Sequence, residues 1–555
     1  MKKDSVLLLW LAKRTGKRLG VLLLLTLANA GMALLSVIFA LDTKNIVNSA
    51  VAGSREDLME AILLQIAVIL GLLFLLALQR YLNSRTQAEL DRDWKKHLSR
   101  RILCGDYAAV TKLHSGELLN RLNNDVRAVD EGLLTILPGL ASMLTRIVAV
   151  MAVLFVLEPV FALILLGAGL LMAVATGAAR HWLRELNLNV SRAEGKVSGF
   201  FQEAFEKLIL VQAMHMEQAV TDRGDALMQQ RYNLQKRRWR VTLLSNTALS
   251  VFVYTCTFAA LLWCANGVYQ KTMDFGELTA ITQLVAQLQA PLVNLSSVLP
   301  SYAATLAACQ RLKELEDVCG TQMPTEMLPA SHEDLLGICA RDLSFSYDRD
   351  KILTAGDFTL PAGSFTVITG PSGVGKSTLL KLLLGIFSPN CGELQLVTKN
   401  GPVPVSRDTR GLFAYVPQGN LLFSGTLREN LLLAKPDATD EEVQRAVYVS
   451  CMDDFLPSLP DGLDTLLGEN AHGLSEGQAQ RLSIARAILL DAPILLLDEC
   501  TSALDDETER RVLQRICQLP DKTCLAVSHR PEALSLAEYQ LTLEEQRITV
   551  RNLKS

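Results

Sequence analysis

The sequence predicts a multidomain membrane protein of two unlike parts, an all-α bundle of six membrane-crossing helices followed by a soluble α/β domain. Three observations carry this. Apolar runs of membrane length all fall before about residue 300. The long connections between them are rich in Lys and Arg. The second half opens with a glycine-rich loop set between a β-rich strand and a helical run. A length of 555 residues already excludes one ordinary core. The net charge of −4 is small, and no basic tract interleaved with aromatics is present, which argues against a nucleic-acid partner. The eleven cysteines are scattered, without a C-x-x-C pair, and read as reduced, buried apolar side chains.

Six stretches reach the roughly 20 apolar residues that a bilayer requires: 19–41, 61–79, 136–157, 160–179, 242–268 and 277–299. The first follows Lys2, Lys3, Lys13, Arg14, Lys17 and Arg18 as a signal peptide would, but its apolar part is too long and further spans follow. Segment 80–131 carries Arg80, Arg85, Arg92, Lys95, Lys96, Arg100 and Arg101 among its bases, and 180–240 is similarly basic. Both therefore belong on the cytosolic side, and the short connections 42–60, 158–159 and 269–276 belong outside. Both termini are then cytosolic, and the chain is expected in a cytoplasmic membrane, bacterial inner or plasma membrane.

Each long inside connection reads as a pair of helices continuing out of the bilayer, with a short docking helix at its tip. In the first, LHSGELLNRLNNDV (113–126) places Leu118, Leu119 and Leu122 on one face. In the second, the segment 194–213 offers Gly199, Phe200, Phe201 and Phe205. Arg146 lies well inside the third span, where a charge costs about 2.5–3.5 kcal/mol or more unless it faces water or a partner, so it is expected to face a cavity. The sixth span is speckled with Thr282, Gln283, Gln287, Gln289, Asn294, Ser296 and Ser297 and is expected to line an aqueous path.

A linker, CGTQMPTEMLPASHEDLLG (319–337), separates a membrane domain at 1–318 from a soluble domain at 338–555. The strand SFTVITG (364–370) runs into GPSGVGKST (370–378), a G-x-x-x-x-G-K-[ST] loop that precedes the helical TLLKLLLGI. In such a loop Gly370, Ser372, Gly373, Gly375 and Thr378 surround nucleotide phosphates. Backbone amides of Gly373 and Gly375 cradle them, Lys376 reaches the β/γ oxygens, and Ser377 ligates Mg²⁺. ILLLDE (494–499) is a strand apolar on both faces, whose end delivers Asp498 to the Mg²⁺ shell and Glu499 to an attacking water. ATP and Mg²⁺ are the expected ligands.

With these motifs on one chain, the second half resembles the ATP-binding domain of ATP-binding-cassette (ABC) transporters, and the whole resembles an exporter-type half-transporter. The resemblance covers nearly the full length. It implies that Tyr347 of LSFSY (343–347) stacks on adenine, and that Gln418 of YVPQ (415–418) contacts Mg²⁺ and senses the membrane helices. It further implies that Asp505 of SALD (502–505) crosses a dimer interface, and that His529 at the end of TCLAVSH reaches the γ-phosphate. The segments 113–126 and 194–213 would be the coupling helices resting on the ATP-binding domains. The family signature L-S-G-G-Q, which completes a site on the opposite subunit, reads here as Leu474, Ser475, Glu476, Gly477 and Gln478.

Ser475 and Gln478 also satisfy a capping box, so the following helix is expected to start at this serine. Glu476 in its first turn stabilises the helix by about 0.3–1 kcal/mol. Aimed inward at roughly 5 Å, it would repel a phosphate charge by about 3 kcal/mol at an effective dielectric near 20. The expectation is that it points away and that Ser475, Gly477 and Gln478 still serve nucleotide. The function implied is ATP-driven export of a drug, peptide or lipid-like substrate by a dimer, with a heterodimer slightly favoured over a homodimer because the signature is modified while the catalytic acids are intact. A lipid flippase, a siderophore-type importer or an ATP-gated regulator on the same fold are the alternatives.

Overall fold

The computed structural model describes residues 2–113, 115–320, 334–347, 350–419, 422–468 and 473–554. Most of the expected linker, 321–333, lies outside them. The chain divides into two units, one of Met1–Arg100 with His114–Asp317 and one of Arg101–Leu113 with Val318–Ser555.

The first unit is helical throughout. Helix Lys2–Thr15 precedes Leu19–Ala52, Arg55–Leu103, Val126–Leu157, Pro159–Glu206, Glu217–Tyr269, Phe275–Gln287 and Gln289–Cys319. Five of the six apolar stretches expected to cross a membrane lie within one of these, and the sixth, 277–299, is divided between Phe275–Gln287 and Gln289–Cys319 by a break at Leu288. Among the described residues, four helices are long and apolar enough to span a bilayer, and Pro159–Met172 is a shorter apolar helix. Helices of 48, 49 and 53 residues extend about 70–80 Å at 1.5 Å per residue, more than twice a hydrocarbon core of roughly 30 Å. They therefore continue well beyond it. Boundaries follow local chemistry: Gly53, at φ 73°, caps the first span, Pro159 occupies the first turn of its helix, and Asp274 with Glu277 forms a capping box. Val37, Val150, Leu154, Phe161, Ile281 and Leu284 form the core of the bundle.

Two expectations for this unit need correction. Segment 115–125 is no docking helix: Ser115–Asn120 passes through a π-helical turn, Arg121–Asp125, directly into Val126–Leu157. Asp125 is buried and accepts two hydrogen bonds from Arg311 (2.8 and 2.6 Å), and Arg121 donates to the Arg311 carbonyl at 2.9 Å. These bonds tie the segment to the last helix of the bundle. The short helix that belongs to the second unit is Tyr107–Val110. Phe200 and Phe201 are likewise engaged inside their own hairpin. Arg223 lies over the Phe200 ring at 5.6 Å, and a Cβ at Gly224 would come within 2.8 Å of Phe201. Phe205 is open as expected, 68% exposed, and so are apolar side chains of Leu208–Ala213, with Ile209 82% exposed.

Two described polar residues of the sixth span, Thr282 and Gln287, find their partners among the helices. Thr282 donates to the carbonyls of Leu278 and Thr279, and Gln287 exchanges hydrogen bonds with Ser36. Both are bonds within the bundle, which is how a polar group avoids a cost in an apolar setting. The side chains of Gln289, Asn294, Ser296 and Ser297 lie outside those described. Arg146 is half-buried, and its Nε is enclosed without a hydrogen-bond partner.

The second unit is a layered α/β structure. The antiparallel sheet has the order β2-β1-β4-β5, from Asp350–Pro361, Leu335–Tyr347, Cys391–Thr398 and Gly401–Pro404. The main sheet contains β3 (Phe365–Thr369), β6 (Phe413–Val416), β9 (Ile494–Asp498), β10 (Thr523–Val527), β11 (Tyr539–Glu544) and β12 (Arg547–Asn552) in the order β12-β11-β3-β10-β9-β6. Its strands from β11 to β6 are parallel. A two-stranded ribbon joins β7 (Gly425–Thr426) to β8 (Leu466–Leu467). All five residues of each of β3, β9 and β10 are buried, as expected for parallel strands covered on both faces. The carboxyl ends of β3, β9, β10 and β6 then gather at one edge, where loops can collect chemistry.

Candidate functional site

The loop after β3 is shaped by three glycines at positive φ: Gly370 (144°), Gly373 (80°) and Gly375 (110°). Side chains are excluded at two of them for a second reason. A Cβ on Gly370 would lie 2.2 Å from the Leu543 carbonyl oxygen, and one on Gly375 would lie 2.3 Å from Ile352. At Gly373 a Cβ would meet nothing within 4 Å, so the chain there forms an open, exposed cradle. Ser372 is exposed beside it, and helix Lys376–Leu383 starts directly behind. The loop thus directs backbone N–H groups and a helix N-terminus at one point, the arrangement that holds phosphate.

Lys376 is only 6% exposed. Its ammonium donates to the carbonyls of Gly370 (2.7 Å) and Pro371 (3.0 Å), and its third short contact is His529 Nε2 at 3.0 Å. A lysine ammonium has only protons to offer, so His529 Nε2 accepts here. Ser377 Oγ donates to Asp498 Oδ1 at 3.1 Å, and Tyr415 Oη donates to Asp498 Oδ2 at 3.1 Å. Asp498 is 3% exposed. Burial pushes its carboxyl above the ordinary range, and the two hydroxyl donors pull it back. The Tyr415 hydroxyl is pushed up by burial first and by the Asp498 charge second, so it remains a donor. Gln418 Nε2 donates to Glu499 Oε2 at 2.7 Å. Glu499 sits at φ 48°, a left-handed conformation costly for a non-glycine residue, with its N–H on the Val527 carbonyl at 3.3 Å.

The hydroxyl–carboxylate pair of Ser377 and Asp498 is an oxygen donor set suited to a hard divalent cation, and the open cradle at Gly373 suits a phosphate. The residues present therefore fit Mg²⁺ and nucleotide. Tyr347 stands at the end of β1, 38% exposed. Its ring meets Phe345 and Phe387 edge-on, with centroids 5.0 and 5.3 Å away, and its hydroxyl lies 3.4 Å from Thr378 Oγ1. Phe387 also touches Tyr107 of the short helix Tyr107–Val110, at 6.2 Å between ring centroids.

The signature segment builds a separate corner. Ser475 Oγ accepts from Gln478 N at 3.3 Å, and Gln478 Oε1 accepts from Ser475 N at 2.9 Å, which starts helix Glu476–Leu489 at this serine. Glu476 is exposed in the first turn. Gly477 is required locally, because a Cβ there would lie 3.0 Å from the Ala503 carbonyl oxygen. Asp505 caps helix Asp506–Cys517 by accepting from Thr508 N at 2.9 Å, and that backbone bond holds its carboxyl below the ordinary range. The structure thus brings Lys376, Ser377, Asp498, Glu499, Gln418 and His529 together, and it leaves Ser475, Gly477, Gln478 and Asp505 in a second group, of which Ser475 and Asp505 are exposed.

Sequence reasoning passed over three residues here. Tyr415 lies inside the YVPQ motif, but its partner Asp498 is 83 positions away. Gln480, 4% exposed, bridges the signature helix to Ser502 and to Ala503 N. Arg410 closes the far end of the loop helix by donating to the carbonyls of Leu384 and Gly385.

Comparison with known proteins agrees with this geometry. The family model described as ABC transporter transmembrane region matches residues 19–292, and the model described as ABC transporter matches residues 353–502. The mitochondrial iron-sulfur clusters transporter ATM1 of Kluyveromyces lactis is 30% identical over 387 residues, 68% of this chain and 53% of that protein, so the match spans about half of that relative. The ATP-dependent lipid A-core flippase of Desulfotalea psychrophila is 28% identical over 443 residues, 78% of this chain and 76% of that one. Among solved structures, a bacterial Atm1-family ABC exporter with ATP bound shares the fold with a TM-score of 0.79 at 23% identity, covering 96% of this chain and 94% of that chain. A membrane region and an ATPase domain of one family, fused in one chain, make this protein a member of the ABC transporter family, an exporter-type half-transporter whose ATPase is coupled to transport across a membrane.

Proposed function

We propose that two such domain sets pair in a cytoplasmic membrane, with both termini in the cytosol, to export an amphipathic or lipid-like substrate at the expense of ATP. The observation that carries the ATPase reading is the convergence of Lys376, Ser377, Asp498, Glu499, Gln418 and His529 around one glycine loop. In this reading the loop amides and Lys376 hold the β- and γ-phosphates, and Ser377 and Asp498 hold Mg²⁺ with Gln418 beside them. Tyr347 supports the base. Bound Mg²⁺ would supply charge neutralisation at the phosphates. Glu499 accepts the proton of the attacking water, oriented by the amide of Gln418, and His529 donates to the γ-phosphate once Lys376 has turned to it.

Pairing is supported by the second group of residues. Ser475, Gly477 and Gln478 at a helix N-terminus, with Asp505 beside them, suit a phosphate presented by another chain. Helix Leu208–Ala213 leaves apolar side chains open, and the ATPase domain carries a groove of 620 Å³ lined by Tyr415, Leu422, Phe423, Leu433, Ala434 and Leu490. Glu476 in the signature favours a heterodimer, in which a partner with an unmodified signature completes the active site. A lipid-like substrate is favoured over a peptide by an apolar cavity of 190 Å³ between membrane helices, lined by Ile147, Met151, Leu165, Phe252, Cys256 and Val285 among others.

The test is ATPase activity of this chain purified alone in lipid nanodiscs, with oligomeric mass measured on the same sample. Steady hydrolysis by a dimer, lost in Glu499→Gln, supports a self-sufficient homodimer. An inactive chain that gains activity with a second half-transporter supports the heterodimer. Undiminished hydrolysis in Glu499→Gln would overturn the assignment of the base. Uptake of a fluorescent lipid into inverted vesicles, driven by ATP, separates a pump from a regulator.

A further inference from the structure

Tyr415 occupies two environments at once. Its ring is part of the wall of the 620 Å³ groove, and its hydroxyl donates to Asp498 Oδ2 at 3.1 Å. Strand geometry produces this. β6 runs parallel to β9 with Tyr415 opposite Leu496 and Val416 opposite Leu497. Asp498 therefore lies one position past the paired stretch, within reach of a ring anchored two residues earlier. The other carboxylate oxygen, Oδ1, takes its hydrogen bond from Ser377 Oγ, also at 3.1 Å. Asp498 thus has two donors, one from the nucleotide loop and one from the groove wall. Tyr415 touches neither phosphate nor water in the proposed site, so any effect it has must pass through Asp498.

We infer that Tyr415 is a positioning residue for the metal-binding carboxylate. The inference rests on the reading of Asp498 as a Mg²⁺ ligand. The physical logic is that of a hydrogen-bonded ligand: a donor on the distal oxygen fixes the rotation of the carboxylate and therefore the direction of its metal-facing oxygen. Gln418, three residues further along the same segment, binds Glu499, so one short stretch of chain contacts both acids, Asp498 through Tyr415 and Glu499 through Gln418.

The experiment uses the full chain in lipid nanodiscs, with Mn²⁺ as the probe and free ion counted by electron paramagnetic resonance in the presence of a non-hydrolysable ATP analogue. Tyr415→Phe keeps the ring and removes only the hydroxyl. The expected result is Mn²⁺ affinity about tenfold weaker, with the affinity for the analogue in EDTA unchanged. Equal Mn²⁺ affinity in both proteins overturns the positioning role. A parallel loss of metal-free analogue affinity also overturns it, since a general loosening of the site would then account for the effect. If the unaltered chain bound no Mn²⁺ with the analogue, the ATPase reading itself would fail.

Discussion

Glu476 offers a sharp test, because its two possible directions differ by a large factor. Placed inward, roughly 5 Å from a phosphate in a medium of effective dielectric near 20, a carboxylate repels each unit of phosphate charge by about 3 kcal/mol, over a hundredfold in affinity. Glu476 is exposed in the first turn of helix Glu476–Leu489, and it is expected to point away from the phosphate. A helix with its side chains is about 10–12 Å across, so an outward carboxylate lies roughly 8 Å from an anion seated over the helix end. At that distance in water the repulsion is about 0.5 kcal/mol. The variant that isolates the charge is Glu476→Gln, which keeps the length and shape of the side chain. The assay is KM for Mg·ATP in nanodiscs, with whatever partner chain restores activity, at low and high salt. The expected improvement is about twofold at low salt and vanishes at high salt. An improvement approaching a hundredfold, insensitive to salt, would refute the outward placement.

Three further outcomes follow from the geometry. Glu499→Gln should keep nucleotide affinity while lowering kcat by about a hundredfold or more; radiolabelled ATP binding measured beside phosphate release checks both halves. Phe387→Ala removes the ring that buttresses Tyr347 edge-on, so ATP affinity should fall about tenfold while tripolyphosphate affinity stays constant, an aromatic-stacking loss of about 1–1.5 kcal/mol; an equal fall for both ligands would mean that Phe387 supports the whole domain. Asp125→Asn breaks the paired hydrogen bonds to Arg311, whose side chain is 47% exposed against 5% for Asp125. With that exposure the cost should be about 1–2 kcal/mol, below the 3–5 expected for a fully buried pair. A chemical-denaturation midpoint in detergent reads the difference.

What could be seen in the sequence was whatever is written locally. Membrane helices declare themselves by apolar length, and the glycine loop by spacing between strand and helix. The helix start at Ser475 follows from a side chain three positions from its partner group. The misplaced docking helix shows the limit. Leu118, Leu119 and Leu122 look like one face of a free amphipathic helix, but Arg121 and Asp125 hold that segment against Arg311, some 190 residues later. The helix that joins the ATPase unit, Tyr107–Val110, has only four residues, too few to display any period. Tyr415 escaped for a similar reason: a four-residue strand gives little alternation, and the acid it serves is on another strand. Gly477 was legible as a glycine, yet its crowding against Ala503 appears only in three dimensions.

The reactive groups of the site restrain one another, and this bears on how hydrolysis could be gated. Lys376 directs its ammonium at two carbonyls of its own loop and at His529, while Glu499 holds the amide of Gln418. In the proposed cycle a phosphate must draw Lys376 away from neutral acceptors, an exchange favoured because hydrogen bonds to an anion are roughly twice as strong as those between neutral groups. That exchange frees His529 Nε2 from its donor and lets the ring turn to the γ-phosphate. Glu499 gains nothing from it directly, since its hold is on Gln418. A chain that has drawn Lys376 and His529 onto phosphate would thus still have Glu499 tied to Gln418, so a separate event must free the base before water is activated.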